Sequence, residues 1–157
     1  ANWLKVTEVS DDVDPIAETD QGHHQFTYSI YPHAGDWRNG TTRAGFELNY
    51  PMTVVKTGAH KATLPQDMSL VSSSRDGVFI ETVKLAEDSD RLVLRCYEGH
   101  NMRGPAELRM GVDVGGAVEV NLLEKDESPV GVDDANITFD VAPFQVRTFA
   151  VETATSD

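Results

Sequence analysis

The sequence predicts an all-β protein, an antiparallel β-sandwich of about eight or nine short strands. Short segments in which apolar and polar residues alternate recur along the chain, as in strands with one buried face. Glycine, proline or acidic residues separate these segments and supply the turns. No stretch of a dozen residues sustains a 3.6-residue period, so long helices are not expected. Together these features favour two packed sheets around one core in a single domain, residues 1–157.

Composition restricts the classes of partner. With 26 acidic and 13 basic residues, the formal net charge is -13, which repels phosphate backbones and anionic membranes. We therefore expect no nucleic acid and no membrane as partner. Cys96 is the single cysteine and lies in an apolar segment, which predicts a buried thiol and suits a reducing compartment. We expect the protein in the cytoplasm.

The first part of the chain predicts a short strand near Trp3, an acidic loop around Pro15 and then a longer strand. The longer strand lies in Asp20–Trp37, where Pro32 removes a backbone donor and ends the ladder. One face of this strand is predicted to carry His24, Phe26, Tyr28 and Ile30.

Beyond the turn Arg38–Gly40, the pattern is ambiguous up to Pro51. Alternation in Ala44–Tyr50 is typical of a strand, although Ala44 and Leu48 would equally share one helix face. Met52–Lys56 is a candidate for a short strand.

From Leu70 onward the sequence is plainly β. We expect strands at Leu70–Ser73, Val78–Leu85 and Arg91–Glu98, the last with apolar residues on both faces and therefore central in its sheet. The remaining strands are expected at Ala106–Val114, Ala117–Glu124, Ile137–Val141 and Phe144–Glu152. The dipeptide Gly115-Gly116 predicts a tight hairpin, with Val118, Val120 and Leu122 pointing inward on the return strand.

Six collinear stretches carry a family resemblance, and they span the chain from about Asp14 to Val151. They are Asp20–His33, Phe46–Pro51, Glu81–Lys84, Leu92–His100, Asn121–Glu124 and Pro143–Arg147. In this order they resemble the carboxy-terminal β region of glycoside hydrolase family 38 α-mannosidases of the cytosolic and bacterial type. The resemblance implies that residues 1–37 end a larger upstream sandwich and that residues 38–157 form the terminal sandwich.

The same resemblance implies an accessory and docking role in an enzyme that hydrolyses terminal α-mannosidic bonds. The family's zinc and nucleophile lie in an amino-terminal catalytic domain that nothing in this sequence resembles. That catalytic domain would be the partner, and the α-mannoside would be met only through the parent enzyme. Without upstream neighbours, Asp20–Pro32 is expected as an edge strand or paired with a second copy of the chain, as a homo-oligomer. A free-standing carbohydrate-binding module is the alternative.

No catalytic, metal or cofactor site is expected within the chain itself. His23 and His24 are neighbours in a predicted strand and point to opposite faces, so they do not suit one ion. No Gly-x-Ser-x-Gly nucleophile elbow is present, and Cys96 lies in mid-strand, where burial disfavours the thiolate.

Two regions have the make-up of a rim that faces sugar or another domain, because aromatic faces stack on pyranose rings and polar groups bind hydroxyls. The candidate residues are Tyr31, His33, Asp36, Trp37, Tyr97, Glu98, His100 and Asn101. A purely structural alternative stays open: the tyrosines would pack between sheets, and His100 and Asn101 would cap a hairpin.

We predict that the 157-residue chain alone does not hydrolyse mannosides. Retaining glycosidases place two carboxylates about 5 to 5.5 Å apart around the scissile bond, and the sequence singles out no such pair. The check is an aryl α-mannoside assay on the pure chain, and turnover above that of a mock preparation would contradict the prediction.

Overall fold

The computed structural model describes residue 23, residues 25–59, residues 61 and 63, and residues 65–154. Contacts divide the chain into two compact units, Ala1–Lys56 and Thr57–Asp157. The described residues form one α-helix and nine β-strands, and the strands pair antiparallel in two sheets. The predicted all-β class and sandwich architecture are confirmed. No helix within the described ranges is long and apolar enough to cross a membrane.

All nine strands lie in the second unit. In chain order they are β1 Val71–Ser73, β2 Val78–Leu85, β3 Leu92–Glu98, β4 Gly104–Met110, β5 Val114–Val120, β6 Ser128–Pro129, β7 Gly131–Asp133, β8 Asn136–Val141 and β9 Val146–Thr153. One sheet has the order β1-β4-β8-β7 and the other the order β2-β3-β9-β5-β6. Strand β3 is therefore an inner strand of the five-stranded sheet, as its two apolar faces predict.

The core of this unit lies between the two sheets. Leu94 and Phe149 from the five-stranded sheet share it with Leu108 and Ile137 from the four-stranded sheet, and all four side chains are 0% exposed. The rings of Phe139 and Phe149, one from each sheet, lie 4.7 Å apart between centroids. The period-2 alternation of these strands is thus explained by one shared apolar layer.

Cys96 belongs to this core, as the sequence predicts. The thiol is fully buried, and burial raises its pKa to about 12. It therefore packs as a small apolar group, because the reactive thiolate is absent at neutral pH.

Arg147 of β9 joins the two sheets by one hydrogen bond, which its Nη1 donates to the carbonyl oxygen of Asp140 on β8 at 2.8 Å. Its Nη2 donates to Oε2 of Glu119 on β5, in its own sheet, at 2.7 Å. Its guanidinium also lies 5.6 Å from the ring centroid of Phe139 and 5.9 Å from that of Phe149. One side chain thus combines an ion pair with cation–π contacts at the edge of the core.

The predicted hairpin at Gly115-Gly116 is wrong. Strand β4 ends at Met110 and belongs to the four-stranded sheet, whereas β5 begins at Val114 and belongs to the five-stranded sheet. The link between them passes close to another segment at Gly111, where an added Cβ would lie 2.0 Å from the carbonyl oxygen of Ser69. Only glycine fits there, and over this link the chain changes sheet instead of turning back on itself.

The predicted inward direction of Val118, Val120 and Leu122 is also wrong. The register of β5 shifts between Val114 and Gly116, and Val114 and Ala117, three residues apart, both pack against the core. A β-bulge inserts one residue and so reverses the faces of everything that follows it. Val118 and Val120 therefore lie on the face turned away from this core, opposite Ala150 and Thr148 of β9, although Val120 is still buried there. Leu122 follows the end of the strand, where it is exposed.

In the first unit the ambiguous stretch is a helix, α1, Thr41–Asn49. It is short and begins after Gly40, and it buries only Ala44, so its strand-like alternation reflects a surface helix with little apolar contact. The predicted strand at Met52–Lys56 is not formed.

The strand predicted within Asp20–Trp37 is not formed over its described part, since only Tyr28 makes a β-bridge there. Asp20 and His24 lie outside the described residues. Phe26, Tyr28 and Ile30, on the predicted apolar face, are exposed.

We expect Leu108→Ala to lower the free energy of unfolding by about 2 to 5 kcal/mol, because it leaves a cavity in the shared layer between the sheets. The same substitution at the exposed Leu122 should change it by less than about 0.5 kcal/mol. Urea unfolding followed by circular dichroism measures both. Equal effects at the two positions would contradict the assignment of the core.

Candidate functional site

In the first unit, Tyr31 and His33 form one contact group. Their rings stack with 5.3 Å between centroids, and Nε2 of His33 lies 3.2 Å from Oγ1 of Thr41 at the start of α1. The imidazole is thus oriented by an aromatic face and a hydroxyl. The structure brings these two predicted residues together on a partly exposed surface.

Asp36 and Trp37 belong to a turn that immediately precedes α1. Oδ1 of Asp36 accepts a hydrogen bond from the backbone N–H of Arg38 at 2.9 Å, and Oδ2 accepts one from its guanidinium at 2.7 Å. The same guanidinium lies 4.7 Å from the ring centroid of Trp37. Arg38 therefore links the two predicted residues, and Trp37 remains 42% exposed.

In the second unit, Glu98 lies at the end of β3 and is 1% exposed. Its Oε1 accepts a hydrogen bond from the backbone N–H of His100 at 2.8 Å, and its Oε2 accepts one from that of Phe144 at 3.1 Å. Burial raises the pKa of this carboxyl, but backbone donors from His100, Phe144, Met102 and Asn101 outweigh it and hold the pKa below its ordinary value. Glu98 was predicted to face sugar or another domain, and the structure instead buries it as the anion that organises two loops.

An aromatic group lies next to Glu98 along the chain, on the opposite face of the five-stranded sheet. Phe79 of β2 pairs with Tyr97 of β3, with 5.4 Å between ring centroids, and the ring of His100 meets Phe79 edge-on at 5.5 Å. Gly99 permits this approach, since an added Cβ would lie 2.9 Å from the Phe79 ring. Burial raises the pKa of the Tyr97 hydroxyl, and nearby Glu81 adds to the effect.

The loop after this group is fixed from the other side by Arg75. Its Nη1 donates to the carbonyl oxygens of Pro105 at 3.0 Å and Arg103 at 3.3 Å. Asn101, in the same loop, has φ 59°, a left-handed conformation that asparagine tolerates better than most residues. Among the candidates from this turn, Asn101 is thus exposed, Tyr97 is half-buried and His100 is buried.

Sequence reasoning missed three residues that shape this site: Phe79, Arg75 and Phe144. The face of Phe79 could have been inferred from its pairing with Tyr97, had the register been known. Nothing in the sequence indicates that Arg75 binds carbonyls about thirty positions away, or that Phe144 takes a φ of 58° and stays 62% exposed.

Within the described ranges, no three His, Cys, Asp or Glu side chains are grouped so that they could hold a metal ion. Several of the described rim residues contact one another or the backbone: Tyr31 stacks on His33, Asp36 binds Arg38, and Glu98 accepts from His100 and Phe144. Glu98, the buried carboxylate among these described residues, therefore serves the fold.

We expect Glu98→Gln to lower the free energy of unfolding at pH 7 by about 1 to 3 kcal/mol, because an amide NH₂ would then face backbone donors. Since the folded pKa lies below the ordinary 4.5, this stabilisation is complete above that value and is lost as the pH falls through the folded pKa. The difference in the free energy of unfolding between the parent and Glu98→Gln should therefore become smaller below about pH 4.5.

Denaturant titrations at several pH values measure this difference. Glu127→Gln, at an exposed carboxylate paired with Arg91, is the matched control and should change stability by less than about 0.5 kcal/mol. Parallel pH curves for the parent and Glu98→Gln would contradict the role assigned to Glu98.

The sequence of this chain is similar to those of known proteins. Residues 77–149 match the family described as "Glycosyl hydrolases family 38 C-terminal beta sandwich domain". The chain is 34% identical to human "Alpha-mannosidase 2C1" over 139 residues, and this match covers 84% of the chain and 13% of that protein. It is 29% identical to "Alpha-mannosidase G" of Dictyostelium discoideum over 146 residues, and this match covers 86% of the chain and 13% of that protein.

A more distant relative is the "Alpha-mannosidase" of Saccharomyces cerevisiae, which is 24% identical over 178 residues. This match covers 94% of the chain and 16% of that protein. The chain therefore spans only a small part of the length of these relatives. Along most of its own length, it resembles the C-terminal β-sandwich region of family 38 α-mannosidases.

Proposed function

We propose that this chain is a C-terminal accessory and docking region of an α-mannosidase, whose full-length form hydrolyses terminal α-mannosidic bonds. The observation that carries the proposal is the similarity to α-mannosidases over 84 to 86% of the chain, at 13% of the relatives' length. On this proposal the zinc and the nucleophile belong to a catalytic domain outside these residues, which is also the partner of the region. We place the enzyme in the cytoplasm, which suits a lone buried cysteine.

The geometry of the described residues supports a role in shape and contact. Family 38-type hydrolysis requires two carboxylates that are free to act on one sugar bond. Glu98 is buried and bound by backbone N–H groups, and Asp36 is hydrogen-bonded within its own turn. Tyr97 and Trp37 in contrast keep part of their aromatic surface exposed, as a docking rim requires.

The experiment is to express the whole reading frame that contains residues 1–157 and to assay it with an aryl α-mannoside. We expect zinc-dependent hydrolysis by the full polypeptide and none by the 157-residue chain. A full reading frame without α-mannosidase activity and without a zinc-binding catalytic domain would refute the proposal.

A free-standing carbohydrate-binding module is the second candidate, and the adjacent rings of Phe79 and Tyr97 favour it. The two candidates are separated by titrating mannose and mannobiose into the isolated chain, with the Tyr97 and Trp37 signals observed by NMR. We expect no saturable change in these chemical shifts at millimolar sugar. The reason is that Tyr97 is half-buried against Phe79, so its ring face is not open for a sugar to stack on.

Saturable shifts that disappear in Tyr97→Ala would favour the binding module instead. Tyr50→Ala, which removes an exposed tyrosine outside both rims, is the control for loss of an aromatic side chain.

A further inference from the structure

The segment directly after α1 exposes large apolar side chains in close succession. Within the six residues 50–55, four such side chains are each at least 74% exposed. They are Tyr50 at 74%, Met52 at 93%, Val54 at 88% and Val55 at 75%. Single exposed apolar residues are ordinary on a protein surface, but several large ones within six residues are typical of an interaction surface.

The surroundings of this segment have the composition of an interface. The described range 25–56 carries few charges, although the whole chain has a net charge of -13. These charges are Asp36, Arg38, Arg43, Glu47 and Lys56, which nearly cancel one another. Depletion of charge together with aromatic and methionine side chains is typical of the centre of a protein–protein contact.

The described part of the first unit also buries very little of its own apolar surface. Ala44 is its one buried side chain among the described residues, and α1 carries no side-chain hydrogen bond at its N-cap. Isolated helices of this length are marginal in water, so α1 and the segment after it gain stability when another surface covers them.

We propose that residues 50–55 dock into an apolar surface of the preceding part of the same α-mannosidase polypeptide. This inference rests on the proposed function, since the chain spans only 13% of its α-mannosidase relatives and most of their length is available to cover the segment. A membrane is disfavoured as the occupant, because the chain is strongly acidic and the range 25–56 contains no basic cluster.

The test compares amide hydrogen exchange in the full polypeptide and in the isolated 157-residue chain. Covering an apolar segment suppresses its local opening, so we expect residues 52–56 to exchange about a hundredfold more slowly in the full polypeptide. Equal and fast exchange in both proteins would overturn the proposal. Slow exchange in the isolated chain would overturn it too: a dependence on protein concentration would identify a second copy as the occupant, and independence would identify the chain itself.

Val54→Asp in the full polypeptide gives a second readout. We expect it to restore fast exchange in residues 52–56 and to lower the melting temperature, while Leu123→Asp, at a similarly exposed site in the second unit, leaves both unchanged. Unchanged exchange in Val54→Asp would overturn the proposed contact. The mannosidase assay is independent of this result: an inactive full polypeptide with a protected segment refutes the function, whereas an active one with an unprotected segment refutes only the docking.

Discussion

The apolar layer between the two sheets is the constraint on which the rest of the second unit depends. Leu94, Leu108, Ile137 and Phe149 lose all contact with water there, and each strand that contributes to the layer is fixed in register by that burial. The strand register also sets the positions of the loops, because each loop begins where a strand ends. Glu98 can meet the backbone of Phe144 because β3 and β9 are neighbours whose order in the sheet is set by the core.

Sequence patterns predicted β1 to β4, β8 and β9 well because each of these strands has one face in this common layer. They did not predict β6 and β7, which are short and exposed. They failed at β5, where a single bulge residue reverses the faces, and bulges leave no trace in the alternation of Val114, Val118 and Val120. They also failed in the first unit, where a short element such as α1 buries almost nothing. Hydrophobic periodicity reports burial, so it is uninformative where burial is absent.

For the candidate residues, too, some features could be predicted from the sequence and others could not. Composition singled out aromatic and polar side chains in two regions, and in the first of them the structure pairs Tyr31 with His33 and Asp36 with Trp37 through local contacts. The partners of Glu98 could not be foreseen, because a buried carboxylate held by backbone donors depends on the loop conformation and not on residue type. Composition alone cannot distinguish a carboxylate that serves a ligand from one that serves the fold.

Burial of Cys96 gives this protein an internal reporter. A thiol reagent reaches the sulfur only after the sheets separate, so the modification rate measures how often the sandwich opens. Since the chain has no other cysteine, that rate reports a single, known site in the middle of β3. The stability of this unit can therefore be followed by mass spectrometry even when spectroscopic signals from a larger assembly overlap with its own.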